Sequence, residues 1–226
     1  MKYIVFISFV FLFFNLSAQK ETNNWVFGDS LLMTFTDTGI NCMQIPTNII
    51  YEASASISDT IGNLFFYTDG KNVWNKDYNL MPNGCCLNID QYGIYGSSIT
   101  QGVIIIPVPD NSTSFYIFTK SENSISYSLV NMTADSGLGD VEILNITILN
   151  DTLMEKMHAV KHANGRDWWV VVHESIPSFN LNLTNKFYKF LITPYEILGP
   201  FEQEVGSLVN FNTNIGEMVF SPMVVG

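Results

Sequence analysis

His158 and His162 stand four residues apart, a spacing that on a helix would bring two imidazoles to one face as zinc ligands. The helical zinc signature has Glu directly after its first His, and Ala159 stands there instead. The surrounding "TLMEKMHAVKHA", residues 152 to 163, has helical spacing in places but runs straight into the strand-like "WWVVVH". Both histidines are therefore expected to be structural or surface residues, and His173 to end a strand. Glycoside cleavage is the other chemistry to weigh, since it needs two acids ~5–10 Å apart across a sugar bond. Asp59, Asp69, Asp77, Glu155 and Asp167 are available for it. Asp59 and Asp69 precede or sit in glycine turns, and Asp167 lies between a turn and a strand, places where Asp stabilises local backbone. The expected structural turns are thus Asp59 with Gly62, Asp69 with Gly70, and Asn164 with Gly165. Calcium at "DGKNVWNKD", residues 69 to 77, lacks the alternating acidic loop and its terminal Glu. No Gly-rich phosphate loop and no Gly-x-Ser-x-Gly elbow is present. The expectation is no catalytic residue, no metal and no cofactor.

The chain opens "MKYIVFISFVFLFFNLSAQ", one Lys followed by an apolar run from Tyr3 to Phe14 and the small pair Ser17-Ala18. That is the pattern of a secretory signal peptide over residues 1–19, cleaved near Ala18 or Gln19. The run is shorter than the ~20 residues a spanning helix needs. No second apolar segment follows, so no integral membrane segment is expected after cleavage. Ten basic residues face twenty-one acidic ones, a formal charge of −11. A chain this acidic repels phosphate backbones, which argues against a nucleic-acid partner. Three cysteines, Cys42, Cys85 and Cys86, survive cleavage. Adjacent cysteines lie ~3.8 Å apart at Cα, below the usual ~4.4–6.8 Å of a disulfide, so the favoured alternatives are Cys42 bonded to one of the pair, or three free thiols.

The elements that must position these residues are strands. Gly and Pro punctuate the whole chain, and between them lie short runs rich in Val, Ile, Phe, Tyr and Thr. A pattern of turn residues, a short gap and an aromatic strand recurs in "SDTIGNLFFYTD" at 58 to 69, "PDNSTSFYIFTK" at 109 to 120 and "HANGRDWWVVVH" at 162 to 173. Aligning Thr68, Thr119 and His173 gives spacings of 51 and 54 residues. Units of about 40–50 residues with several strands each suggest four-stranded β-propeller blades. The aromatic runs would then be strands buried on both faces between neighbouring blades. "VIIIPVP" at 103 to 109 reads as an inner strand, "ISYSLVNM" at 125 to 132 and "FYKFLIT" at 187 to 193 as strands after a hairpin, and "GLGDVEILNITIL" at 137 to 149 as an outer strand. The expected fold is an all-β, incomplete propeller over residues 20–226, with roughly three blades and the start of a fourth at "IGEMVFSP".

The motifs "NWVFG" at 24 to 28, "SASISDTIGNLFFYTDGKNVWN" at 54 to 75, "MPNG" at 81 to 84, "TQGVIIIPVP" at 100 to 109, "GLGDV" at 137 to 141 and "EKMHAVKHANGRDWWVVVH" at 155 to 173 resemble secreted β-propeller proteins of the Bacteroidetes group. These are often large surface proteins that end in a sorting domain. The resemblance implies fold and export, and it brings no catalytic residues. In the family "MVFSP" usually continues into further blades, whereas here "MVFSPMVVG" ends the chain, so an N-terminal fragment is expected. The first hairpin also loosely resembles the Ser-x-Asp-x-Gly-x-x-Trp box of sialidase propellers, with Gly one residue late and Phe65 at the Trp position. The expected function is a non-catalytic scaffold or binding module at the cell surface. A glycan or a surface protein would be the ligand, and Trp74, Tyr92 and Tyr95 are the loop aromatics that could stack on it. The rival expectation is a glycan-cleaving hydrolase on the same fold.

Overall fold

The computed structural model describes residues 20–46, 50, 52–87, 97–176, 183–210 and 213–221. They form an all-β structure of four antiparallel sheets, each assembled from strands consecutive in the chain. The first sheet holds β1 (Asn24–Phe27), β2 (Leu31–Thr36) and β3 (Gly39–Gln44). The second holds β4 (Ala55–Ser58), β5 (Leu64–Thr68) and β6 (Val73–Asn75). The third holds β7 (Val103–Pro107), β8 (Ser114–Lys120), β9 (Ser124–Asn131) and β10 (Asp140–Asn150). The fourth holds β11 (Leu153–Lys161), β12 (Trp168–Glu174), β13 (Thr184–Ile192) and β14 (Ile197–Val209). No helix among the described residues is long and apolar enough to cross a membrane.

The three aligned sequence segments supply the second strands β5, β8 and β12 of successive sheets. Ahead of them stands a sheet that the spacing did not count, β1 to β3. Residues 213–221, expected to open a further unit, run beside β11 without forming a strand. The Glu155 N–H donates to the Asn214 carbonyl at 3.0 Å, and the Gln101 amide exchanges bonds with the Met218 backbone at 2.8 and 3.0 Å. The segment with helical spacing is β11. Its pairing with β12 sets His158 opposite Val171 and Lys161 opposite Trp168, so the apolar residues of "WWVVV" cover one side of it.

Why these runs become strands follows from the two-residue period of a pleated sheet, which sends neighbouring side chains to opposite faces. In β8, Phe115 and Ile117 enter a core shared with the second sheet, while Phe118 enters a core shared with the fourth. In β5, Phe66 faces the third sheet and Tyr67 the first. A bulge lets Ile57 pair with Phe66 and Ser58 with Leu64, leaving Phe65 as the extra residue, so Phe65 and Phe66 both reach the same core. Three apolar layers thus hold four sheets face to face. Full burial of a side chain such as Phe66 or Phe118 contributes roughly 1.5–3 kcal/mol.

The two end sheets each keep an apolar face that no other sheet covers among the described residues. Trp25 is 52% and Ile40 58% exposed on the first, and Phe201 is 45% exposed on the fourth. The sheets are in register at their first strands: β4 packs beside β1 and β7, and β7 beside β11. Polar bonds fix that order. Asn24 Nδ2 donates to Ser58 Oγ at 2.9 Å and to the Gly62 carbonyl at 2.8 Å, and Ser56 Oγ donates to the Asn24 carbonyl at 2.6 Å.

Candidate functional site

In the second, third and fourth sheets, the hairpin between the first and second strands turns on one Asp or Asn. Asp59 Oδ1 accepts the N–H groups of Ile61 at 3.0 Å and Asn63 at 2.8 Å, and Oδ2 accepts Asn63 Nδ2 at 3.0 Å. Asn111 Oδ1 accepts the Thr113 and Ser114 N–H groups at 2.9 and 3.1 Å. Asn164 Oδ1 accepts those of Arg166 and Asp167, both at 3.0 Å, while the Gly165 N–H donates to the His162 carbonyl at 2.9 Å. The Asx geometry needs a short side chain that can accept bonds from its own turn. Burial alone would raise the Asp59 pKa, but the bonds from Asn63, Ile61 and Gly62 outweigh it and lower the value. Asp59 is therefore held as the carboxylate.

These turns bring one end of three sheets together around a cavity of about 290 Å³. Its apolar wall consists of Phe65, Ile105, Pro107, Phe115 and Trp168. Ser58, Asp59 and Thr60 from the first turn, Ser112 from the second and Lys161 beside the third give it a polar rim. Glu21 closes the remaining side, its backbone carbonyl accepting the Ser58 N–H at 2.8 Å. One Glu21 oxygen, Oε2, is shielded from solvent and has no hydrogen-bond partner. The Lys161 ammonium lies 5.5 Å from the centre of the Trp168 ring, a cation–π distance, and forms no ion pair among the described residues. A second, more open cleft of about 400 Å³ runs between the first strands of the first three sheets, along residues 25–27, 54–56 and 103–105.

The residues singled out in the sequence are placed as follows. Trp74 packs its ring against the core between the first two sheets and donates its indole N–H to Asp69 Oδ2 at 3.0 Å. Asp69 Oδ1 accepts the Lys71 and Asn72 N–H groups, making the β5–β6 turn. Gly70 in that turn has φ +79°, and a Cβ there would lie 2.6 Å from the Ala53 carbonyl oxygen. Gly62 has φ +94°. Tyr92 and Tyr95 lie outside the described residues. Asp77 is exposed on the surface. Glu155 Oε2 binds the backbone and hydroxyl of Thr100 at 3.1 and 3.0 Å, and Asp167 is bonded by Arg166 Nε at 2.7 Å.

The histidines serve their own strands and turns. His158 rests against Phe220, and burial pushes its pKa down. His162 Nδ1 accepts the Asn164 N–H at 3.1 Å. His173 contacts the Phe187 ring at 4.2 Å, and burial lowers its pKa although the Glu174 carbonyl pulls the other way. At the opposite end of β12 from Trp168, the buried Tyr188 hydroxyl donates to Asp151. Burial, then that carboxylate, push its pKa up to about 12. This cluster ties the ends of the fourth sheet's strands to Asp151, which leads into its first strand.

The cysteine pairing corrects the sequence expectation. Cys85 is bonded to Cys86, and Cys42 is an exposed thiol on β3. Asn83 at φ +54° and Cys86 at φ +72° turn the loop tightly, and Leu87 is anchored behind it with its N–H on the Lys71 carbonyl at 2.8 Å.

Glu21 and Lys161 were missed by sequence reasoning, and Trp168 was read as packing alone. Lys161 and Trp168 flank the six-residue turn "HANGRD", so their direct pairing was legible; nothing in the sequence put Glu21 beside them. Compared with protein-family models, curated proteins and solved structures, the chain matches none.

Proposed function

We propose that this chain is an exported binding module of β-propeller type, displayed at the cell surface, whose ligand docks at the hairpin end between the second, third and fourth sheets. The export reading rests on the leader-like residues 1–19. The propeller reading is supported by sheets made of consecutive strands, stacked face to face and adjacent at their first strands. The resemblance of the motifs to secreted Bacteroidetes propellers is consistent with both.

The observation that carries the binding reading is the cavity itself: aromatic and proline walls and a polar rim that includes the Lys161 ammonium. Such convergence of apolar wall and few polar groups is what a ligand pocket requires. The glycan-cleaving alternative has one observation in its favour, two carboxylates, Glu21 and Asp59, on one cavity. Against it, a general acid needs a raised pKa, and the Asp59 turn lowers that of Asp59. The ligand class is a glycan or a surface protein.

The test is equilibrium binding of the purified chain to soluble surface polysaccharides and to purified surface proteins, with Lys161→Ala and Trp168→Ala alongside. Saturable binding weakened by either variant supports the module. Saturable binding indifferent to both places the ligand elsewhere, and release of reducing sugar from a polysaccharide establishes the hydrolase.

A further inference from the structure

We propose that the cavity at Glu21, Lys161 and Trp168 is a saccharide subsite for one or two neutral sugar rings. The inference rests on the binding-module reading and commits it to one class of ligand. The volume, about 290 Å³, lies just below the ~300–1,000 Å³ range of ligand pockets. It suits a compact ring better than a folded polypeptide surface, which needs a broad contact of ~800 Å² per partner.

The chemistry of the walls selects hydroxyl groups. The Lys161 ammonium, which forms no ion pair among the described residues, stands on the rim as a donor for hydroxyl oxygens. A sugar hydroxyl accepts that bond without bringing a charge into the cavity. Thr60 and Ser112 put further hydroxyls on the rim, where they donate or accept as the ring requires. Trp168 and Phe65 offer flat apolar surface of the kind that receives the C–H face of a pyranose. The charges on the rim are mixed, with Lys161 against Asp59 and Glu21, so the site has no single-sign field to attract a polyanion.

Cellobiose, maltose and N,N′-diacetylchitobiose are titrated against the purified chain, with saturation-transfer NMR and tryptophan fluorescence as readouts. At least one disaccharide is expected to show saturable transfer. Lys161→Met, whose unchanged melting temperature verifies its fold, weakens that binding roughly tenfold or more, as loss of a charge-assisted hydrogen bond does. Should Lys161→Met not fold, Thr60→Ala and Ser112→Ala together carry the same expectation of weakened binding. The inference is overturned if none of the three disaccharides binds at millimolar concentration, or if binding is indifferent to these variants. Binding of a purified surface protein that depends on Trp168, with no disaccharide bound, would also overturn it while leaving the binding-module reading in place. Absence of both would remove the two readings together.

Discussion

The indole N–H of Trp74 donates to Asp69 Oδ2 at 3.0 Å, while the other oxygen of the same carboxylate holds the Lys71 and Asn72 N–H groups at 2.9 and 2.6 Å. One buried acid therefore fixes both the β5–β6 turn and the aromatic that follows it. Asp69→Ala leaves four donors, the Asn72 side-chain amide included, without their acceptor and is expected to cost about 1–3 kcal/mol. Trp74→Phe keeps most of the packing and is expected to cost less than Asp69→Ala. Urea unfolding of the two variants measures the order; the reverse order would contradict this account of the turn.

Phe118 is fully buried between the third and fourth sheets, whereas Ile61 is 72% exposed at a turn. Phe118→Ala is expected to lose about 3–5 kcal/mol through the lost transfer energy and the cavity left behind. Ile61→Ala is expected to stay within about 0.5 kcal/mol of the parent chain. Equal denaturation midpoints for the two variants would show that the face-to-face layers do not hold the sheets.

Gly70 and Gly165 share a left-handed backbone, at φ +79° and +74°, but differ in surroundings. A Cβ at Gly70 meets the Ala53 carbonyl oxygen at 2.6 Å, and one at Gly165 meets nothing within 4 Å. Gly165→Ala therefore carries only the backbone cost, about 1–2 kcal/mol for an L residue in that region. Gly70→Ala adds a clash with backbone that cannot rotate away, so its melting temperature is expected to fall further. Calorimetry on the pair distinguishes the two contributions.

His158 and His173 have folded pKa values below the ordinary 6.5, in both cases through burial first. The unfolded chain thus binds protons that the folded chain resists. Above about pH 6.5 the two states carry neutral histidines and stability is unaffected by them. As pH falls through that value towards the lower folded pKa, stability is lost. The melting temperature is expected to drop between pH 7 and pH 5.5, and to drop less in a His158→Asn, His173→Asn chain. Ordinary carboxylates titrate near 4 and contribute little in this window.

Much of the fold was legible because strand period and turn chemistry are local. Aromatic runs ending at Thr68, Thr119 and His173 marked the second strands of three sheets, and Asp59 and Asn164 marked their hairpins. The first sheet escaped because β3, "GINCMQ", is exposed along its whole length and shows no buried face to read. The Cys85–Cys86 bond escaped because the ordinary Cα separation of disulfides argues against adjacent partners. The cavity escaped for a different reason. Glu21, Asp59, Ser112 and Trp168 come together only when three sheets are stacked, and stacking is set by the apolar layers rather than by any local motif.

Amide hydrogen exchange with and without bound saccharide tests the site most directly. Protection is expected together at residues 56–60, 105–112 and 161–168, with the exposed strand β14 unchanged. Protection confined to β14 or to the open face of the first sheet, with those three segments unaltered, would contradict the assignment of the ligand to the cavity between the sheets.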